Sequence, residues 1–300
     1  MMKARTGRSR VRQRLNCIWC KLAGAPPLRH VGIAEVARCC LLRYDGFKKR
    51  RVRRALRVEK AGDLVRVSVY GQTIYWFSSD NLTRLIQYYL ETFDPKNPHY
   101  FESSRTTIAK GDVVLDVGGC EGYFALKAAK HASKVVIIEP VKLFARCLRK
   151  TFESELVSGR VEVAAIVLGK ENKEVLFVDS MDDPGLAHVL RADEDPSLAS
   201  PVPQRTLDTF VADAGLHRVD FIKVDAEGAE LDLIEGGRET IACHHPKIAI
   251  ACYHRPEHAN RIVELICGIA ASYRYNLKGV VEFDGVPRPI LAHFWHEERG

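Results

Sequence analysis

No stretch of this 300-residue chain approaches the roughly 20 consecutive apolar positions that a membrane-spanning helix needs. The early arginines are not followed by the apolar run of about 7–15 residues that marks a secretory signal. These two absences leave a cytoplasmic location as the expectation. Acidic side chains are scarce in one region only. Residues 1–60 carry 18 Lys and Arg against Glu35, Asp45 and Glu59, a charge of +15, which leaves −8 on the remainder of a chain whose total is +7. A disulfide framework is not expected either. The nine cysteines are an odd number, and Cys120, Cys147, Cys243, Cys252 and Cys267 fall in apparent strands, helices or a glycine turn, where reduced thiols pack as small hydrophobes. Cys17 and Cys20 form a CxxC with Cys39 and Cys40 downstream. Adjacent cysteines make a poor second ligand pair and no histidine stands at finger spacing, so a zinc site is not expected.

An apolar share of 46% is ample for a buried core. Three regions follow from the pattern. Residues 1–60 are a basic leader with clusters at Arg5–Arg14 and Lys48–Arg57, expected to be a solvated, partly disordered arm. A nucleic acid or an anionic surface is the partner its charge would suit. Residues 61–110 read as a small unit packing on the core: a hairpin over Leu64–Phe77 around Tyr70-Gly71-Gln72, then a helix through Tyr89 capped by Ser79, Asp80 or Asn81. The loop after it, broken by Pro95 and Pro98, offers His99 and Glu102 as weak site candidates. Residues 111–300 alternate strands and helices, which predicts an α/β, doubly wound and mostly parallel sheet. Within it, residues 169–205 hold one short strand, Val175–Val178, and then a long acidic, proline-bearing loop that is either a lid or an insertion. No internal repeat is visible.

The chain is organised around Val113–Pro140, a strand, a glycine turn, a helix and a second strand ending in Glu139. Such a βαβ unit binds ligands at the carboxyl ends of its strands. A dinucleotide fingerprint needs GxGxxG, but counting from Gly118 the later glycine positions hold Cys120 and Tyr123. Glu121 in the turn would also repel a pyrophosphate. S-adenosylmethionine has no phosphate and a cationic sulfonium, so an acidic turn suits it, and Glu139 is spaced to accept ribose hydroxyls. Asp116, Gly118, Gly119, Glu121, Gly122 and Glu139 are therefore the candidate cofactor-binding residues.

A second informative stretch, FIKVDAEGAELDLIEGG, runs from Phe221 to Gly237. Lys223 and Asp225 share one face of a strand and reach its carboxyl end, with Glu227 in the turn beyond. A helix from Ala229 to about Ile241 follows, and Asp232 and Glu235 read as acids on its solvated face. His254 ends the next strand and would face Asp225 across the crevice.

Together VLDVGGCEGYFAL, VVIIEP, RTLD, FIKVDAEGAELDLIEGG and IAIACYH resemble the FkbM family of class I S-adenosylmethionine-dependent methyltransferases, over roughly Glu91–Gly279. The resemblance implies a Rossmann-like fold, cofactor contacts at Asp116, Gly118, Gly122 and Glu139, and O-methylation of a hydroxyl on a sugar, glycan or natural product. The catalytic reading assigns His254 as base, Asp225 as its orienting acid, Lys223 as the cation keeping Asp225 ionised, and Glu227 as a neighbour. A divalent metal held by Asp225, Glu227 and His254 is the less favoured variant. The rival function is a nucleic-acid-binding protein or RNA methyltransferase using the leader. The acceptor and the oligomeric state are not legible.

Overall fold

The structure is a computed structural model that describes residues 7–41, 46–79, 82–179, 187–191, 193–283 and 285–297. The candidate caps Asp80 and Asn81 and residues 180–186 of the long loop lie outside the described residues.

Three helices open the chain: α1 (Gly7–Leu22), α2 (Ile33–Leu41) and α3 (Gly46–Ala55), with a 3-10 turn at Pro26–Leu28. A meander follows, β1 (Arg57–Ala61), β2 (Leu64–Val69) and β3 (Gln72–Trp76), then α4 (Leu82–Phe93). The central unit is β4 (Val113–Val117), α5 (Tyr123–Ala128), β5 (Lys134–Ile138), α6 (Lys142–Thr151), α7 (Glu153–Val157) and β6 (Val161–Ala164). Next come β7 (Val167–Leu168), β8 (Lys173–Val178), β9 (His188–Val189) and β10 (Ala199–Arg205). The rest is α8 (Leu207–Asp213), β11 (Phe221–Val224), α9 (Glu230–Glu235), α10 (Arg238–His244), β12 (Lys247–Ala251), α11 (His258–Ile269), β13 (Tyr273–Phe283) and β14 (Val286–His296).

The seven-stranded sheet runs β13-β14-β12-β11-β4-β5-β6. Neighbours from β12 to β6 pair in parallel, while β14 joins β12 and β13 antiparallel. The expected α/β, mostly parallel, Rossmann-like class is thus observed. Its central strands are mostly apolar because both faces are covered. Leu115, Val117, Val136, Ile138, Ile222, Val224, Ile248 and Ile250 enter one core, whereas Val114, Val135, Ile137, Phe221, Ala249 and Ala251 enter the other.

Three expectations need correction. First, the described part of the leader is no solvated arm. Leu28 and Val31 are each 1% exposed and join Cys17, Val36 and Cys40 in the core with Leu277 and Phe294, while Val52 packs with Ile74, Trp76 and Leu85. Polar contacts tie the same helices to the last strands: Gly279 N donates to Glu35 Oε1 (2.6 Å), and Asn16 Nδ2 donates to Gly285 O (2.9 Å). The inward residues of these helices are apolar, while Arg50, Arg51, Arg53 and Arg54 of α3 stay exposed. Second, the segment expected as a loop supplies β9 and β10, which complete a four-stranded sheet, β7-β10-β8-β9, around the expected strand at Val175–Val178. β10 turns Val202 and Gln204 inward with Pro201 and Pro203 exposed, and β7 pairs with it only at Gln204 and Arg205, so one edge of β10 is open at the prolines, where a missing donor is tolerated. Third, the single helix expected over residues 229–241 is two, broken at Gly236-Gly237. A methyl group at Gly236 would strike the backbone of Gly169, so the helix must stop where that chain crosses.

Candidate active site

The carboxyl ends of β4, β5, β11 and β12 open on one side of the sheet, and the two informative stretches meet there. The glycine turn after β4 is stitched to β5: Gly118 N donates to Ile138 O at 2.9 Å. Gly118 has φ +76°, and a Cβ there would collide with the carbonyl oxygen of Asp225. Only glycine lets the two turns approach so closely. Methyl groups at Gly119 and Gly122 would likewise run into Ile137 and Leu148.

Under this turn lies Lys223, 5% exposed. Its Nζ sits 3.0 Å from Asp116 Oδ1 and donates to the carbonyl oxygens of Gly118 (2.6 Å) and Val117 (3.3 Å). Burial opposes the charge, but Asp116 and Asp225 outweigh it and hold the ammonium above its ordinary pKa. This corrects the expected pairing. Lys223 anchors Asp116 and the glycine turn, and Asp225 is a more distant neighbour. Asp116 is wholly buried, so its role is beneath the turn.

Glu139, at the end of β5, is 4% exposed. Its two oxygens accept from Cys120 N (2.8 Å) and Val141 N (2.9 Å). Burial dominates these amides and pushes its pKa up to about 7, and burial does the same to Glu121.

On the other side of the crevice stands an acid cluster. His254 Nε2 lies 3.3 Å from Glu227 Oε2 and 3.6 Å from Asp225 Oδ1, and its Nδ1 lies 2.9 Å from Glu230 Oε1. Glu230 Oε2 is 3.2 Å from His258 Nδ1. Burial alone would lower the His254 pKa, but Glu230, Glu227 and Asp225 together raise it to about 11. The same contacts drive Glu230 below the usual carboxylate range against its burial. Burial, with Asp225 beside it, raises Glu227. Glu227 adopts φ +48°, a left-handed conformation that glutamate rarely occupies, and so turns its carboxylate inward.

The structure therefore brings His254, Asp225 and Glu227 together as expected, with Lys223 one layer below. His99 joins them, its Nε2 4.0 Å from Asp225 Oδ2 and its Nδ1 3.3 Å from Glu91 Oε1. Glu102 does not, being paired with Lys127 and accepting from Ile108 N. Glu230 is the residue the sequence reading missed as a site member. It is fully buried, and a helix acid aligned in sequence with Asp232 and Glu235 looked solvated.

Comparison with known proteins was made at three levels. The family model described as the Methyltransferase FkbM domain matches residues 116–277, more than half of the chain. No curated protein is similar in sequence. Among solved structures, the chain is similar to a methyltransferase FkbM from Methylobacillus flagellatus KT at 19% identity and TM-score 0.46, covering 73% of this chain and 56% of that one. It is also similar to an rRNA methylase from Streptococcus thermophilus at 14% identity and TM-score 0.37, covering 64% of this chain and 90% of that one.

Proposed function

Because the chain belongs to the family of FkbM methyltransferase domains, we propose that it uses S-adenosylmethionine to methylate a hydroxyl on a sugar, glycan or natural product. The carrying observation is the touching of the two turns at Gly118 and Asp225, which joins the cofactor-type cradle to the acid cluster in one crevice. When bound, the cofactor supplies a methyl group on cationic sulfur, whose bond breaks with the electron pair leaving on sulfur as a new carbon–oxygen bond forms. The residues fit that group: glycine at 118, 119 and 122 lets the turn fold tightly against Asp225, Ile137 and Leu148, and Glu139 at the end of β5 would offer carboxylate acceptors to ribose hydroxyls. Asp116 and Lys223 hold the turn, and Glu121 lines it.

Positioning and removal of the hydroxyl proton are what the protein must add. The proton passes into the cluster of Asp225, Glu227 and His254. With no cation bound, the acids around His254 hold its pKa well above neutrality, so the free ring does not serve alone as the neutral base, and Glu230, 2.9 Å from Nδ1, rather than Asp225, orients it. Replacing Asp225 by Asn should slow methyl transfer by roughly 100-fold or more while leaving S-adenosylhomocysteine affinity within about threefold. Parallel loss of both would remove Asp225 from the chemistry.

Calorimetric titration with S-adenosylhomocysteine tests the cofactor half. Glu139→Ala removes charge-assisted hydrogen bonds of about 1.5–3 kcal/mol each, so affinity should fall by at least tenfold. The pH dependence has a defined sign. With a pKa of about 7, Glu139 loses its proton as pH rises through neutrality and becomes the better acceptor, so wild-type affinity should rise between pH 6 and 8. A flat profile in the wild type, or full affinity in the variant, would dismiss the ribose role. An acceptor screen should include RNA, because helix α3 exposes Arg50, Arg51, Arg53 and Arg54 to an anionic partner.

A further inference from the structure

We propose that Asp225, Glu227 and His254 form a binding site for one hard divalent cation of the Mn2+ or Mg2+ type, with Glu230 as the positioning residue behind it. The inference deepens the methyltransferase reading of this crevice and rests on it for its chemical purpose. One ligand atom from each of the three residues lies within 4.8 Å of the other two. The separations from His254 Nε2, 3.3 Å to Glu227 and 3.6 Å to Asp225, approach the spacing of about 3 Å between adjacent ligands on an ion with bonds of about 2.1 Å.

Three further observations separate this site from an ordinary acidic surface. The His254 side chain is nine-tenths buried, at 10% exposure; its Nδ1 is held by Glu230, while Nε2, facing Glu227 and Asp225 at 3.3 and 3.6 Å, makes no hydrogen bond. Asp225 Oδ1 is likewise without a hydrogen-bond partner. Glu230 stands 2.9 Å from Nδ1, on the far side of the ring from Asp225 and Glu227. A carboxylate behind a histidine whose other nitrogen faces the ligand set is the arrangement that orients metal-binding imidazoles. Finally, charge is unbalanced. Among the described residues, Asp225, Glu227 and Glu230 converge on His254, with His258 beyond Glu230 and His99 between Asp225 and Glu91, while the ammonium of Lys223 pairs with Asp116. Two carboxylates and one nitrogen suit a hard cation better than a thiophilic one. Such an ion would lower the pKa of an acceptor hydroxyl placed beside it.

The test uses the full chain and Mn2+ alone as the probe, read by electron paramagnetic resonance and calorimetry. S-adenosylhomocysteine titration of each variant serves as the control for an intact crevice. We expect one Mn2+ per chain, with nitrogen coupling from an imidazole in the spin-echo spectrum that disappears in His254→Gln. Asp225→Asn and Glu227→Gln should each weaken Mn2+ at least tenfold. Glu230→Gln, which does not touch the ion, should weaken it by roughly 10–100-fold. Wild-type protein that binds S-adenosylhomocysteine but no Mn2+ would overturn the cation site and leave the methyltransferase reading standing. So would Mn2+ bound without nitrogen coupling or indifferent to the three substitutions. Mn2+ bound at these residues in a protein that takes no S-adenosylhomocysteine would support the cation site and remove the methyltransferase reading.

Discussion

Deletion of residues 1–56 is expected to leave no cooperatively folded protein. The leader inserts Cys17, Leu28, Val31, Val36, Cys40 and Val52 into two of the three cores. Full burial of a large aliphatic side chain is worth about 1.5–3 kcal/mol, so their removal costs on the order of 10 kcal/mol, an upper estimate because unfolded chains are partly compact. That matches the whole stability of a typical domain, about 5–15 kcal/mol. The deletion also uncovers apolar surface on β13 and β14. Single truncations give a graded version of the same result. Leu28→Ala should cost about 2–5 kcal/mol and lower the melting temperature by several degrees in a chain of this size. A truncated protein that melts like the full chain would mean the N-terminal helices are ornaments on a self-sufficient core.

Replacement of Lys223 by Met should be the most damaging single substitution near the site. It strands the wholly buried Asp116 carboxylate without its cation and frees the carbonyl oxygens of Val117 and Gly118. Breaking a buried pair from one side costs about 3–5 kcal/mol, and here the loosened element is the glycine turn itself. Melting temperature and S-adenosylhomocysteine affinity should therefore fall together. Adding Asp116→Asn to the Lys223→Met protein removes the stranded charge and should recover part of the lost stability, but not the affinity, because the turn remains unpinned. Denaturant unfolding of the two single variants and the double variant forms the cycle that checks this. Additive losses would show that Lys223 and Asp116 act separately.

The parts of this molecule readable from sequence share a physical cause. β4, β5, β11 and β12 are buried on both faces, so each is a short continuous apolar run ending in a turn that sets down its chemistry, and the runs stand out without any tertiary knowledge. Asp225, Glu227 and His254 were legible because they terminate such runs. Where several alternatives satisfy the same local pattern, the sequence was silent. Lys223 is one residue from Val224 and two from Asp225, yet its partner is on the neighbouring strand β4, a choice made by register. Glu230 looked like any acid on a polar helix face until two histidines, His254 from the loop after β12 and His258 from α11, enclosed it. The leader was hardest, because 18 Lys and Arg among its 60 residues outweigh the scattered apolar positions that it buries, Cys17, Leu28, Val31, Val36, Cys40 and Val52. The prolines of β10 misled for the opposite reason, since they signal a break that an open strand edge can absorb.

The joining of the first helices to the last strands has a consequence in time. Asn16 and its partner Glu282 are 266 residues apart, an interval of roughly 13–50 s on a ribosome adding about 5–20 residues per second. Throughout it, the inner faces of α1 and α2 have been made and their docking surface has not. A stripe of this kind would ordinarily adhere to other nascent chains. The charge of +15 on residues 1–60 should repel like-charged segments while the stripe waits for its docking surface.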